Sequence, residues 1–504
     1  MTAPFSFLGQ LCPLPDLTGR DPEVIDLMRI PGKATFLRIC CTLLLGVITF
    51  AAQNTSLQAQ TRELPSSRQD VQLSFAPLVK RVAPSVVNVF TRKTVQSRRE
   101  TPFFNDPFFR RFFGDQFGGN QQRERTVNSL GSGVIVGADG VIVTNNHVID
   151  GADEIRIVLS DRREFDAKLL VADERSDLAV LKALTDEPLP FLELMDSDEI
   201  EVGDLVLAIG NPFGFGQTVT SGIVSARART TVGITDFSFF IQTDASINPG
   251  NSGGALVGLD GRLLGVNTAI YSKDGGSNGI GFAVPANMVR AVINSAASGK
   301  VVRPWLGASG QTVTADIAAS LNLDKPLGVV LNRVHPKGPA ASSGLQVGDV
   351  VLAIDGKPLP DAQSLKFRLG TRSVGGTARM TILRSGKSRD VDVELIAPPE
   401  DPEPNPIRVS GNLPISGAAF INLSPAFNET KGIDTLITGV AVTEIARGSP
   451  ADRIGFEPGD IILSVNETKI ERVSDIKKLL ASPPQEWALK VRRGSRVISV
   501  KVRG

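Results

Sequence analysis

Three residues in this chain of 504 have the types and surroundings for nucleophilic chemistry. Ser252 lies in Asn248-Pro249-Gly250-Asn251-Ser252-Gly253-Gly254, where glycines let the backbone bend sharply and approach a substrate closely. Upstream are His147, in Thr144-Asn145-Asn146-His147-Val148-Ile149, and Asp177, in Arg175-Ser176-Asp177-Leu178-Ala179-Val180. A serine hydroxyl is a weak nucleophile and needs a general base. The base needs a carboxylate that fixes its tautomer and stabilises its charged form. His147, Asp177 and Ser252 can fill these roles, and the chain has only two histidines from which to draw the base. The backbone N–H groups of Gly250 and Ser252, flanking Asn251, would then form the oxyanion hole, aimed at the negative charge that develops on an attacked carbonyl.

The order His, Asp, Ser is that of chymotrypsin-like double barrels; subtilisin-like and α/β-hydrolase folds use other orders. The words TNNHVI, SDLAVLK, AIGNPFG, TSGIVSA, IQTDASINPGNSGGAL and GIGFAVP resemble the periplasmic Do-like (HtrA/Deg) serine proteases, in order from about residue 75 to the C-terminus. The resemblance implies an ATP-independent serine endopeptidase for unfolded or damaged exported proteins, with chaperone activity as an added function. It also implies a homotrimer that assembles into larger cages. No GxxxxGK[ST] motif is apparent, so substrates must already be unfolded or locally open. A chaperone with a dispensable protease and a protease dedicated to one signalling substrate are the rival readings. Chymotrypsin-like digestive enzymes carry an aspartate where Asn251 stands, and an amide cannot pair with a freed N-terminus. Regulation is therefore expected from loop order and assembly. Ser246, six residues before the nucleophile, and Ile247 beside it offer no carboxylate, which disfavours a pocket for lysine or arginine. The family's preference for small aliphatic residues fits that neutral pocket. Thr268-Ala269-Ile270 resembles the strand that pairs with substrate backbone.

Many short strands with glycine-rich turns must hold these residues. Residues 131–136 and 140–144 read as a hairpin about Gly137-Ala138-Asp139, with His147 just after it. Residues 154–159 and 164–171 read as another, and Asp177 opens the strand 178–181. A further set of strands runs from 204 to 268. Pro84 separates a short helical stretch from a strand at 85–89. The expected fold is mainly β: a chymotrypsin-like double β-barrel protease domain over 75–300, then two PDZ-like domains.

Those two domains follow from a repeat. Gly328-Val329-Val330, Pro339-Ala340, Gly344, Gly348-Asp349 and Leu369 recur as Gly439-Val440-Ala441, Pro450-Ala451, Gly455, Gly459-Asp460 and Leu480, at a constant offset of 111. The pattern resembles PDZ domains, which bind extended C-terminal peptides by strand addition. Expected boundaries are 301–398 and 412–504, with a proline-rich acidic linker at 399–411. Trp305-Leu306-Gly307-Ala308 looks like the carboxylate loop of the first domain, so Leu306, Gly307 and Ala308 are its expected peptide-binding residues. Ala419-Phe420-Ile421-Asn422 takes the corresponding place in the second and lacks the Leu-Gly step. His335 reads as surface structure.

Formal net charge is +1, from 54 basic and 53 acidic residues, which gives no reason to expect a nucleic-acid partner. Cys12, Cys40 and Cys41 all precede residue 60, so no Cys/His cluster is available for zinc and neither metal nor cofactor is expected. Residues 1–59 read as a leader region and 60–74 as a flexible linker. Arg29, Lys33 and Arg38 precede an apolar stretch at 39–52 that is short for a membrane span; this suits a signal peptide cleaved after Ala59, with Met28 as a possible start. A short membrane anchor is the alternative. Residues 101–119 hold seven of the 25 phenylalanines, among prolines and glycines. The family resemblance implies that this loop contacts neighbouring subunits; folding onto its own core is the bland alternative. The mature protein is expected to begin near Gln60, and N-terminal sequencing from the native host checks this: retention of Cys40 and Cys41 in a membrane-bound form contradicts it.

Overall fold

Runs of apolar residues that are buried on both faces build the first half of the folded chain. The computed structural model describes residues 74–95, 125–211, 216–229, 239–248, 250–270 and 278–503. The leader, the linker up to residue 73 and the Phe-rich segment 101–119 lie outside these residues. Helix α1 (Ala76–Val82) and a 3-10 turn through Pro84 lead into strand β1 (Val86–Val95). With β2 (Arg125–Ile135), β3 (Val141–Thr144), β4 (Glu154–Val158), β5 (Glu164–Asp173) and β6 (Leu178–Ala183) it closes a barrel in the order β1-β2-β3-β6-β5-β4. The hairpins expected at 131–144 and 154–171 are present. A second barrel, β10-β11-β12-β9-β8-β7, uses β7 (Leu205–Gly210), β8 (Thr218–Arg229), β9 (Phe240–Thr243), β10 (Ala255–Gly258), β11 (Leu263–Ile270) and β12 (Gly281–Pro285).

Strand periodicity divides the core in three. Successive side chains on a strand point to opposite faces. Val87, Val89, Ile142 and Leu181 fill the first barrel, while Ala208, Ile241, Leu256 and Ala283 fill the second. Their neighbours Val86, Val143, Val180, Leu207, Ile209 and Val257 turn the other way and form one apolar seam between the barrels. Such strands carry no polar face, so they read as continuous apolar runs. Helix α2 (Asn146–Ile149), which carries His147, and the turns around Asp177 and Ser252 all open at this seam.

Each PDZ-like domain is one sheet with a helix along its edge strand. In the first, β13 (Ala308–Thr312), β14 (Val329–Val334), β15 (Val350–Ile354), β17 (Thr377–Arg384) and β18 (Lys387–Glu394) follow in that order, and β16 (Lys357–Pro358) pairs with β15. The second runs β19 (Ile407–Arg408), β20 (Ala418–Leu423), β21 (Gly439–Ile445), β22 (Ile461–Val465), β24 (Glu486–Arg493) and β25 (Arg496–Arg503), with β23 (Thr468–Lys469) on β22. The Gly-Asp pair of the repeat has a physical reason. Asp349 accepts from Gln346 N–H at 2.8 Å and from Arg384 Nη2 at 2.6 Å, and Asp460 accepts from Glu457 N–H at 2.9 Å and from Arg493 Nη2 at 2.8 Å. A carboxylate taken out of water needs such partners.

The structure corrects one alignment. Ala308 pairs with Val334, and Ala418 pairs with Ile445. Gly307 and Gly417 both adopt left-handed backbone, at φ 68 and 90. The counterpart of Trp305-Leu306-Gly307-Ala308 is therefore Ile415-Ser416-Gly417-Ala418, at an offset of 110, and not residues 419–422. The second repeat has one extra residue in the loop after its helix Pro425–Thr430, so the offset is 110 before that loop and 111 after it, and residues 419–422, at an offset of 114, lie four residues too far along, inside the strand Ala418–Leu423 rather than in the loop ahead of it. His335 is half-buried and sits edge-on to Trp305, with ring centroids 5.2 Å apart.

The first PDZ-like domain is packed on the second barrel. Phe367, on helix α3 (Ala362–Gly370), stacks on Phe239 with centroids 3.8 Å apart and joins the seam cluster. Beside it, Arg368 Nη1 contacts Asp198 Oδ1 at 2.5 Å. Burying a phenylalanine contributes roughly 1.5–3 kcal/mol. Phe367→Ala is expected to release this domain from the barrel, measured as a larger radius of gyration by X-ray scattering and faster cutting near residues 299–304 by an added protease. An unchanged radius and cutting rate would show that the stacking does not hold the domain in place.

Candidate active site

Asp177 occupies an unusual backbone position. Its φ is 54, a left-handed conformation that costs roughly 1–2 kcal/mol for a residue with a Cβ and that aspartate tolerates better than most. The turn is secured from both ends. Asn145 Nδ2 donates to the Asp177 carbonyl at 2.9 Å and Asn146 N–H donates to it at 3.2 Å. Ser176 Oγ donates to buried Asp173, which also forms an ion pair with buried Arg303. Arg175 donates to the Glu429 carbonyl at 2.8 Å and pairs with its carboxylate, bringing in helix α4 (Pro425–Thr430) of the second PDZ-like domain.

The Asp177 carboxylate is met by donors on both barrels. His147 Nδ1 lies 2.7 Å from Oδ2, and the His147 backbone N–H donates to Oδ1 at 3.0 Å. The Thr268 hydroxyl, from β11, donates to Oδ2 at 2.7 Å. A carboxylate only accepts, so Nδ1 carries the proton and Nε2 is left with a lone pair. Nε2 takes no partner among the described residues. Burial opposes the imidazolium, but the charge of Asp177 and its hydrogen bond outweigh that effect and raise the His147 pKa above 6.5. Burial likewise pushes Asp177 up, and the charge and hydrogen bond of His147, then the bonds from Thr268 and the His147 N–H, bring it below 3.8. Because the folded pKa of His147 is the higher one, the charged pair stabilises the fold below pH 6.5, and this contribution fades as pH rises through the folded value.

Ser252 lies on the other side of Thr268. Its hydroxyl donates to the Thr268 carbonyl at 3.3 Å and does not bond to His147. Thr268 therefore touches both Asp177 and Ser252. It falls at the irregularity where β11 slips by one residue against β12, which explains how one residue can face both ways. Sequence reasoning placed Thr268 with Ala269 and Ile270 only as a substrate-pairing strand and missed this hydroxyl. Ala269 and Ile270 pair with Phe282 and Gly281 of β12. Ser246 is half-buried, with its carbonyl accepting from Thr220 Oγ1 at 2.8 Å, and Ile247 is buried in the second barrel against Gly281.

Ser132, on β2, also escaped the sequence reading. Its hydroxyl accepts from Asn211 N–H at 2.8 Å and donates to the Gly250 carbonyl at 2.6 Å. Its N–H donates to the Ser252 carbonyl at 2.9 Å, and its carbonyl accepts from Thr144 Oγ1 at 2.7 Å. A buried serine on the first barrel thus fixes the serine loop of the second. The one available signal was a serine between two glycines, Gly131 and Gly133. Gly250 has φ 95, and neither its N–H nor that of Ser252 is taken up by another described residue. Asn251 is buried, with no hydrogen-bond partner for its side chain among the described residues. At Leu306 and Gly307 the carbonyls accept from Ala340 and His335 N–H, and Ala308 begins the edge strand β13.

Comparison with known proteins identifies the domains and the family. Residues 131–266 match the trypsin-like peptidase domain, and residues 304–395 and 441–493 each match a PDZ domain. The periplasmic serine endoprotease DegP of Escherichia coli K12 is 38% identical over 478 residues, covering 90% of this chain and 96% of that protein. This chain belongs to the Do-like (HtrA/Deg) family of serine endoproteases. The periplasmic pH-dependent serine endoprotease DegQ of the same organism is 38% identical, covering 85% of this chain and 91% of that one. A probable periplasmic serine protease of Haemophilus influenzae is 39% identical, covering 84% and 90%. Within this family the present chain is a serine endopeptidase of mainly β fold with two PDZ domains.

The serine loop leaves no room for a side chain beside the serine. Gly253 has φ 82, and a Cβ there would stand 2.0 Å from the Ser132 carbonyl oxygen and 2.4 Å from Thr144 Oγ1. Gly203 has φ 101 with open space around it. Gly203→Ala is expected to cost only the roughly 1–2 kcal/mol of left-handed backbone and to keep activity. Gly253→Ala should lower the melting temperature further and abolish labelling of Ser252 by a fluorophosphonate. Equal behaviour of the two variants in calorimetry and labelling would contradict the close fit.

Proposed function

We propose that this protein cleaves unfolded polypeptides in the periplasm, with Ser252 as nucleophile, His147 as general base and Asp177 as the carboxylate that holds and charges it. The observation that carries the reading is the 2.7 Å contact between His147 Nδ1 and an Asp177 carboxylate fixed by Thr268 and the His147 N–H. It leaves Nε2 as the basic nitrogen. For attack, the Ser252 hydroxyl leaves the Thr268 carbonyl by rotation about its Cα–Cβ bond and passes its proton to Nε2. The carbonyl carbon of the substrate then takes the serine oxygen, and the N–H groups of Gly250 and Ser252, on either side of Asn251, receive the oxyanion. His147 returns the proton to the leaving amine, and water releases the acyl group by the same route.

Substrate backbone would add along Ala269 and Ile270, with Ser246 near the base of a neutral primary pocket. Exposed C-terminal peptides would dock at Leu306, Gly307 and Ala308 of the first PDZ domain. A homotrimer, larger assemblies, ATP independence and an accessory chaperone activity complete the reading. The relatives' description as periplasmic supports the compartment, and no helix among the described residues is long and apolar enough to cross a membrane.

Ser252→Ala should abolish casein cleavage while casein still binds. Asp177→Asn should lower kcat by about 10⁴, because the imidazole then loses its tautomer and its charge partner. Cleavage by purified Ser252→Ala at a near-normal rate would overturn the assignment.

A further inference from the structure

The second PDZ domain already holds an extended segment where a ligand would lie. A PDZ domain takes a peptide as an added strand on its edge, with the C-terminal carboxylate received by backbone N–H groups of the preceding loop. In the first domain that edge is β13, which among the described residues pairs only with β14. In the second domain the corresponding strand, β20, is paired on its outer side with β19, which comes from the linker. The pairing is antiparallel, with Ile407 opposite Phe420 and Arg408 opposite Ala419.

The contacts extend past the two residues of the strand. Asn422 N–H donates to the Pro404 carbonyl at 2.9 Å, and Asn422 Nδ2 donates to the Glu403 carbonyl at 2.7 Å. At the other end Val409 N–H donates to the Ala418 carbonyl at 3.0 Å, and the Val409 carbonyl accepts from Gly417 N–H at 2.7 Å. Gly417 is the counterpart of Gly307 in the carboxylate loop, as the shared left-handed φ shows. The Val409 carbonyl thus stands where a terminal carboxylate would. Val409 is buried, and Ile407 packs against the same apolar cluster, which includes Ile476 and Leu480 of helix α5 (Val473–Ala481) beside the edge strand.

We propose that residues 403–409 are an internal ligand of the second PDZ domain, so that outside C-terminal peptides are recruited through the first PDZ domain alone. This rests on the reading of the first domain as a peptide receptor. It also accounts for the composition of the acidic, proline-rich linker. Asn405 turns the chain between Pro404 and Pro406 at φ 40, and beyond it Ile407 and Val409 supply the two inward side chains of a strand with period two.

The test uses the full chain with Ser252→Ala, which removes self-cleavage. Hydrogen exchange resolved to single amides should show Gly417 and Asn422 exchanging at least about 100-fold more slowly than Gly307 and Thr312, their counterparts in the first domain. Equal exchange overturns the proposal. A photoreactive peptide copying residues 403–409, with a free C-terminal carboxylate, should crosslink only within the first domain. Adding Ile407→Asp with Val409→Asp should open a second crosslinking site at residues 415–423. Crosslinking there without these substitutions also overturns it. If the double variant misfolds, the exchange measurement on the otherwise unaltered chain still decides. Absence of any crosslink in the first domain would count against peptide recruitment there and would leave the exchange result standing.

Discussion

One carboxylate withdrawn from water sets the terms for the rest of the site. Asp177 sits at the seam between two barrels, and it is held below the ordinary carboxylate range only because donors from both barrels reach it. His147 and Thr268 come from different barrels, so the full set of donors to Asp177 exists only when the barrels are packed together. The apolar seam of Val86, Val143, Leu207 and Val257 does that packing. Removing a single donor from a buried charge costs more than an ordinary hydrogen bond contributes, which makes the seam and the site one problem in stability.

The serine loop obeys the same logic. Ser132 spans the seam with its hydroxyl and its backbone, so the Ser252 loop of one barrel is positioned by a strand of the other. Further out, the turn that presents Asp177 reaches Arg303, two residues ahead of Trp305, and Glu429 in the second PDZ domain. The second PDZ domain is therefore in physical contact with the turn that bears the carboxylate, and the first with the seam through Phe367 and Phe239.

Much of this was legible in the sequence because it follows from local rules. Short apolar runs bounded by glycine-rich turns foretold the strands around His147 and Asp177, and the glycine-framed serine marked the loop. The hidden parts were those decided by distant partners. Thr268 and Ser132 are ordinary hydroxyls whose importance comes from residues 91 and 120 positions away, respectively Asp177 and Ser252. The conformation of Ser252, turned to the Thr268 carbonyl, has no sequence signature at all. The loop ahead of the second PDZ edge was misplaced by four residues because it lacks the Leu-Gly step, and only the shared left-handed glycine and the strand pairing locate it.

The most direct test of the account is the titration of His147 itself. The chain has two histidines, so imidazole-labelled protein gives two signals, and His335→Gln assigns them. With Ser252→Ala to prevent self-cleavage, the His147 signal followed by nuclear magnetic resonance should titrate above pH 6.5, and Asp177→Asn should bring its midpoint down. A His147 midpoint at or below 6.5 that does not respond to Asp177→Asn would show that the carboxylate does not govern the base, and the account would fail at its centre.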